Sequence, residues 1–270
     1  MSRHAARAGL GGEHRSRRPS PSTDFVDYRP YHPGDDFRRV DWNVYGRLGT
    51  LQVKVTEGRE RLNVLFVLDC SGSMAWGGAH DKLKFAVQLV ASLGYVALSR
   101  ADQVRVSLLG ADSSGALKGR GRTGELVRFL SSVVPTGQVD LNGRLGDVVP
   151  SSPNQALVVV VSDLLVADGV AASWDALLGF DAVVVHVVAP EEMEPRLTGE
   201  AELVDAETGE VMHIGASLET LSAYRTRFAE WLDQQRTECE RREMRYVRVR
   251  TDRPLEQVML EDLRGAGVLR

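Results

Sequence analysis

From residue 63 onward the chain alternates continuous apolar runs with stretches of helical periodicity. The runs fall at 63–69, 104–109, 156–162 and 182–188. Bounded by turns, these runs predict strands buried on both faces of a mostly parallel sheet. Between the first two, Leu83, Val87, Val90, Leu93 and Ala97 recur at helical spacing behind Asp81, a side chain suited to capping the first turn. Shorter helical patterns occupy GELVRFLSSVV and GVAASWDALLGF. Right-handed crossovers then place helices on both faces of an open α/β sheet. A hairpin near 200–214 interrupts the alternation, with Glu207-Thr208-Gly209-Glu210 at its turn. A long helix is predicted over 218–242, with Leu218, Leu221, Phe228, Trp231, Leu232 and Cys239 packed as one face on the sheet. MRYVRVR supplies a last strand, and a short helix follows Asp252 and Pro254.

Residues 25–62 read differently. A Pro33-Gly34 turn, a charged loop and the alternation Leu51, Val53, Val55 predict a small β-rich appendage ahead of the α/β domain at 63–270. Residues 1–24, basic at first and then bearing Pro and Ser, predict a flexible terminus.

Composition narrows the class. Of 270 residues, 43% are hydrophobic and 26% charged, which supplies a core large enough to need no covalent staples. Cys70 and Cys239 lie far apart and outside any C-x-x-C spacing, so a reducing, cytoplasmic setting is expected. A formal net charge of -4 gives no general attraction to nucleic acid or to a membrane surface. The Arg-bearing terminus lacks interleaved aromatics, which predicts only weak, salt-sensitive contact with nucleic acid. No apolar segment of a secretory signal follows it, and the longest apolar runs are about half a membrane span.

Candidate chemistry gathers at the predicted strand ends, where open parallel sheets bind their ligands. Asp69, Ser71 and Ser73 follow the first run as D-x-S-x-S, Ser162 and Asp163 end the third, and PTGQVDLNG brings Thr136, Asp140 and Asn142 in another loop. Hydroxyl and carboxylate oxygens, with no thiolate or imidazole among them, suit a hard cation such as Mg²⁺ or Mn²⁺. The competing expectation is that Asp69 merely ends a strand while the serines satisfy loop amides. In the appendage, Asp35, Asp36 and Asp41 alternate with Arg38, Arg39 and Arg47 around Trp42. That pattern suits either a structural set of caps and ion pairs or a partner-binding patch.

VLFVLDCSGSM resembles the metal-ion-dependent adhesion motif of von Willebrand factor A domains. The resemblance implies a von Willebrand factor A-like, Rossmann-like fold and a divalent cation, usually Mg²⁺, held by Asp69, Ser71, Ser73 and Asp163. The threonine of that motif falls on Val139, which cannot ligate, and leaves Thr136 or Asp140 as substitutes. A longer segment, YRPYHPGDDFRRVDWNVYGRLGTLQVKVTEGRE, together with DAETGE and TDRPLEQVML, is similar to the bacterial domain of unknown function 58 family. This second resemblance implies a metal-dependent adaptor or chaperone partner of a MoxR-type AAA+ ATPase.

Catalysis finds less support in the residues. The general acid of a haloacid dehalogenase-like phosphatase would stand where Ser71 does, and CSGSM is not a G-x-S-x-G elbow. There is no G-x-x-x-x-G-K-[ST] loop, and GADSSGALKGRGRTG reads as a flexible glycine-containing stretch. His186 and His213 stand in apolar and hairpin contexts that suit structural roles. The expectation is a non-enzymatic, metal-dependent protein-binding module, with a metal-dependent hydrolase or phosphatase and a metal-free scaffold as the alternatives.

Overall fold

The computed structural model describes residues 23–58, 61–76, 78–137, 139–150, 156–166 and 169–269. The basic terminal run and Gln138 lie outside the described residues. Two units divide between Arg61 and Leu62.

In the smaller unit, β1 (Thr23–Pro30) pairs antiparallel with β2 (Gln52–Gly58), and the connection carries a 3-10 turn over Phe37–Arg39 and the helix α1 (Trp42–Leu48). The acidic residues of the P-G-D-D-to-D-W segment fix this backbone. Asp36 accepts from the Arg38 amide, and Asp41 caps α1 by accepting from the amides of Asn43 and Val44. Asp41 also receives the Tyr28 hydroxyl at 2.7 Å and the Lys54 ammonium at 2.9 Å, which hold its carboxyl well below the usual range. The guanidinium paired with Asp35 is that of Arg29, at 2.6 and 2.5 Å, rather than one from Arg38, Arg39 or Arg47. Trp42 stays 61% exposed and meets Tyr45 edge-on.

The larger unit alternates strands and helices. In order they are β3 (Asn63–Leu68), α2 (Lys82–Ser99), β4 (Gln103–Leu108), β5 (Leu117–Lys118), α3 (Thr123–Ser131) and α4 (Leu141–Val148). There follow β6 (Ala156–Ser162), α5 (Ala171–Asp175), β7 (Asp181–Val188), α6 (Pro190–Met193), β8 (Gly199–Val204) and β9 (Val211–Ala216). The chain ends with α7 (Leu218–Arg241), β10 (Arg245–Arg250) and α8 (Leu255–Gln257), which runs on into a π-helical turn over Val258–Leu263.

Strand order is β10-β7-β6-β3-β4-β5, parallel except for β5. The side chains of β3 alternate between two apolar cores. Val64, Phe66 and Leu68 pack with α2, α3 and the C-terminal turns on one face, and Leu65 and Val67 with α4, Trp174 of α5 and Cys239 of α7 on the other. This is the mostly parallel sheet flanked by helices that the uninterrupted apolar runs imply. The glycine-bearing stretch after β4 is not wholly irregular, because Leu117 and Lys118 add the antiparallel edge strand β5.

The helical stripe of α7 is buried only in part. Leu232, Gln235 and Cys239 are inside, whereas Leu218 is 88% exposed, because the apolar face continues beyond the surface it covers. Tyr224, Phe228 and Trp231 stack along the helix, and Trp231 meets His186 of β7 edge-on. Among the described residues no helix is long and apolar enough to cross a membrane.

From β3 the chain crosses through α2 to β4 on one side, while β6, β7 and β10 are laid down on the other. The carboxyl ends of β3 and β6 therefore flank the point where strand order reverses, the crevice in which open α/β sheets bind ligands.

Candidate functional site

Asp69 leaves β3 still in the ladder, its amide donating to the Val161 carbonyl of β6 at 2.9 Å. Its carboxylate is buried and held at both oxygens. Oδ1 accepts from the Ser71 amide at 2.9 Å, and Oδ2 from the Ser162 hydroxyl at 2.5 Å. Burial and then the neighbouring charge of Asp163 raise its proton affinity, and the hydrogen bonds from Ser162 and Ser71 oppose them. Ser71 opens a short 3-10 turn over Gly72–Ala75, which brings its hydroxyl to 3.0 Å from that of Ser73.

Asp163 arrives from the end of β6. Its Oδ1 accepts from the Leu165 amide at 3.2 Å. The intervening Leu164 is buried and left-handed, at φ 58, a conformation that costs a non-glycine residue roughly 1–2 kcal/mol. Such strain persists where the surroundings over-determine a loop. Here Leu164 is pinned by its amide, which donates to the Ser162 hydroxyl at 2.9 Å.

Two further residues complete this cluster, neither of which the sequence singled out. Lys82, the first residue of α2, is fully buried and places Nζ 2.6 Å from Asp163 Oδ2 and 2.6 Å from Glu192 Oε1. Glu192 comes from α6, and its other oxygen accepts from the Ala189 amide at 2.7 Å. Burial alone would lower the lysine pKa, but Asp163 and Glu192 outweigh it and hold the ammonium above the ordinary lysine value. Burial raises the proton affinity of Glu192, and Lys82 opposes it. The one signal in the sequence was a lysine directly after a helix cap, at a position preceding an apolar face.

The loop after α3 braces the first loop through its backbone. The Thr136 amide donates to the Cys70 carbonyl at 2.8 Å, and the Gly72 amide donates to the Gly137 carbonyl at 2.7 Å. The Thr136 hydroxyl is engaged with Cys70, Asp140 caps α4 by accepting from the Gly143 amide, and Asn142 bonds to Gly169 and Ser173. Val139 packs with the apolar cluster of β3, β6 and α4. Thus Asp69, Ser71, Ser73 and Asp163 come together, while the Thr136 hydroxyl donates to the Cys70 carbonyl and Asp140 uses one oxygen to cap α4.

The tip of the β8–β9 hairpin lies on the same loop. A Cβ built on Gly72 would stand 2.6 Å from the Ala206 carbonyl oxygen and 3.3 Å from Glu207 Cγ, so only glycine lets the tip approach this closely. Asp205 shapes the turn by accepting from the amides of Glu207 and Thr208. The proton affinity of Glu207 is raised by burial and then by the charges of Asp69, Asp163 and Asp205, against the backbone N–H of Ser73. Between the hairpin and the loop after β6 lies a groove of about 590 Å³, lined by Ser73, Lys82, Leu164, Glu192 and Glu207 among others.

The donor set suits a hard cation. In an octahedral Mg²⁺ site with bonds of about 2.0–2.1 Å, adjacent ligands stand about 2.9 Å apart, close to the separation of the two serine hydroxyls. Among the described residues no three His, Cys, Asp or Glu side chains group to hold a metal, so a cation here would depend on those hydroxyls.

Comparison with known proteins gives relatives but no activity. The chain is 26% identical over 213 residues to the uncharacterized proteins Mb1516 of Mycobacterium bovis and Rv1480 of Mycobacterium tuberculosis. That match takes in 75% of this chain and 66% of each relative's length. Among solved structures, the conserved hypothetical protein BatB of Bacteroides thetaiotaomicron aligns with a TM-score of 0.45 at 16% identity, covering 76% of this chain and 98% of its own. An aerotolerance-related membrane protein of Bacteroides fragilis aligns at 0.40 and 17%, over 61% of this chain and 87% of its own. The family model described as Protein of unknown function DUF58 matches residues 27–238, and the chain belongs to that family.

Proposed function

We propose that the chain is a von Willebrand factor A-like protein-binding module that takes a carboxylate of its partner through a divalent cation, Mg²⁺ or Mn²⁺. The observation that carries this reading is the pair of serine hydroxyls 3.0 Å apart beside the buried Asp69 carboxylate, at the point where strand order reverses. Asp69, Ser71 and Ser73 would hold the cation, with Asp163 beside them. A bound cation supplies positive charge for a partner's acidic side chain. The protein's own part is to fix the oxygens: Ser162 and the Ser71 amide orient Asp69, and Lys82 anchors Asp163.

No bond-breaking is assigned to the site. The serine hydroxyls pair with each other rather than with an imidazole, and His186 is buried, bonded to Tyr246 and driven by burial down to about 3. A MoxR-type AAA+ ATPase as the partner, with this chain as its adaptor, follows from the family resemblance. A metal-free scaffold is favoured by one observation, the Lys82 ammonium already neutralising Asp163.

Calorimetric titration of Mg²⁺ and Mn²⁺ into the wild type and Asp69→Ala decides between the two. The binding module predicts heats in the wild type that vanish in the variant. Equal heats in both proteins, or none in either, would leave the scaffold.

A further inference from the structure

Between Phe37 and Leu48 the smaller unit turns its large apolar side chains outward. Phe37 and Leu48 are 65% and 69% exposed, Trp42 and Tyr45 are exposed with them, and only Val40 and Asp41 of this stretch are buried. Half-buried Val44 marks the inner side of α1, which leaves Trp42 and Tyr45, in edge-on contact, on the outer one. Three guanidinium groups share the stretch. Arg38 and Arg47 are exposed and Arg39 is half-buried, and among the described residues none of them meets a carboxylate. The nearby carboxylates are engaged elsewhere: Asp35 with Arg29, Asp41 with Tyr28 and Lys54, and Asp36 with the Arg38 amide. Pairing this face with itself in a second copy would therefore gather guanidinium groups with no free carboxylate to meet them. The four apolar side chains offer roughly 500 Å², short of the about 800 Å² per partner of a stable protein pair. A lipid surface fits both observations: its phosphates take guanidinium groups, and aromatic and aliphatic side chains enter its headgroup boundary without a large, shaped interface.

We propose that the outer face of α1 and the 3-10 turn before it dock on an anionic lipid surface. Phe37, Trp42, Tyr45 and Leu48 enter the headgroup boundary, and Arg38, Arg39 and Arg47 meet lipid phosphates. This docking is peripheral and requires no membrane-crossing helix. The net charge of -4 does not oppose it, because attraction to a surface is set by the charges within about a Debye length, roughly 8–10 Å, of that surface. The inference draws on no residue of the cation site and stands or falls apart from it.

The test is co-sedimentation of the whole chain with vesicles of phosphatidylcholine alone and of phosphatidylcholine mixed with phosphatidylglycerol. The wild type should prefer the anionic vesicles, and less so as salt is raised. Each guanidinium near such a surface strengthens binding about fivefold, so the double variant Arg38→Gln, Arg47→Gln should bind them about 25-fold more weakly. Arg225→Gln, Arg227→Gln, an equal loss of exposed charge on α7, should match the wild type. Trp42→Phe should still bind but lose the vesicle-induced blue shift and the quenching by brominated lipid that Trp42 supplies. The basic run at residues 1–18 is common to every variant, so binding that the double variant leaves unchanged would belong to that run and overturn the inference. Equal binding to neutral and anionic vesicles would overturn it as well. So would binding to neither kind, and retention on polyglutamate would then assign the face to an acidic protein.

Discussion

Lys82→Met is the most informative single change, because it tests whether the cluster behind the site is held by charge. The Lys82 side chain is 1% accessible and meets Asp163 and Glu192 at 2.6 Å each, with those side chains 2% and 10% accessible. Methionine keeps the unbranched stem and its packing, so the loss is electrostatic. Removing one partner from a buried ion pair costs about 3–5 kcal/mol, because the charge left behind is uncompensated. For a chain of this size that lowers the melting temperature by about 6–20 °C. The pH dependence carries the sharper signature. The folded-state pKa of Lys82 is raised above the ordinary lysine value, so its contribution is fully present below about 10.4 and is lost as pH rises through the folded value. The gap between wild type and variant should therefore be constant from neutral pH to about 10 and narrow progressively as pH climbs from the ordinary lysine value toward the higher folded one. On the acid side it should narrow as Glu192, whose proton affinity burial already raises, takes up a proton. Calorimetric melts at pH 7.5, at pH 4.5 and in steps upward from pH 10.5 follow all three regimes. A loss below about 2 °C at pH 7.5, or one that does not change with pH, would show that the triad is not the electrostatic anchor described here.

Two further outcomes follow from the same electrostatics. The Asp69 carboxyl is raised by burial and by Asp163, so its ionised form costs stability at neutral pH; Asp69→Asn should melt no lower than the wild type at pH 7.5 in chelator, and a fall of several degrees would contradict the assignment. His186, held at about 3 by burial, binds a proton in the unfolded chain below about 6.5 but not in the folded one, so it removes about 1.4 kcal/mol of stability per pH unit between those values; His186→Gln should flatten that part of a denaturation profile, and parallel profiles would refute the reasoning.

The parts of this molecule that its sequence discloses are those a local pattern forces. The runs that became β3, β6 and β7 are apolar at nearly every position because both faces of those strands are covered. Asp69 and Asp163 could be placed at strand ends for the same reason, since the chain turns polar where the cover stops. Lys82 and Glu192 obey a different rule. A lysine after a helix cap and a glutamate in an acidic EEMEP run both read as solvated, and each is buried only because the other arrives from 110 positions away. Leu218 shows the converse: its place in an apolar helical stripe suggests burial, but at the start of α7 it stands exposed, and periodicity records which side of a helix is apolar, not how far its cover extends. The hairpin is intermediate. Its Thr208-Gly209 turn is local and legible, whereas its seat on Gly72 depends on a glycine whose missing side chain leaves no mark of its own in the sequence. The site is thus readable in its oxygen donors and unreadable in its charge balance, because donors are set by strand ends and charge balance by which polar groups distant segments bring together.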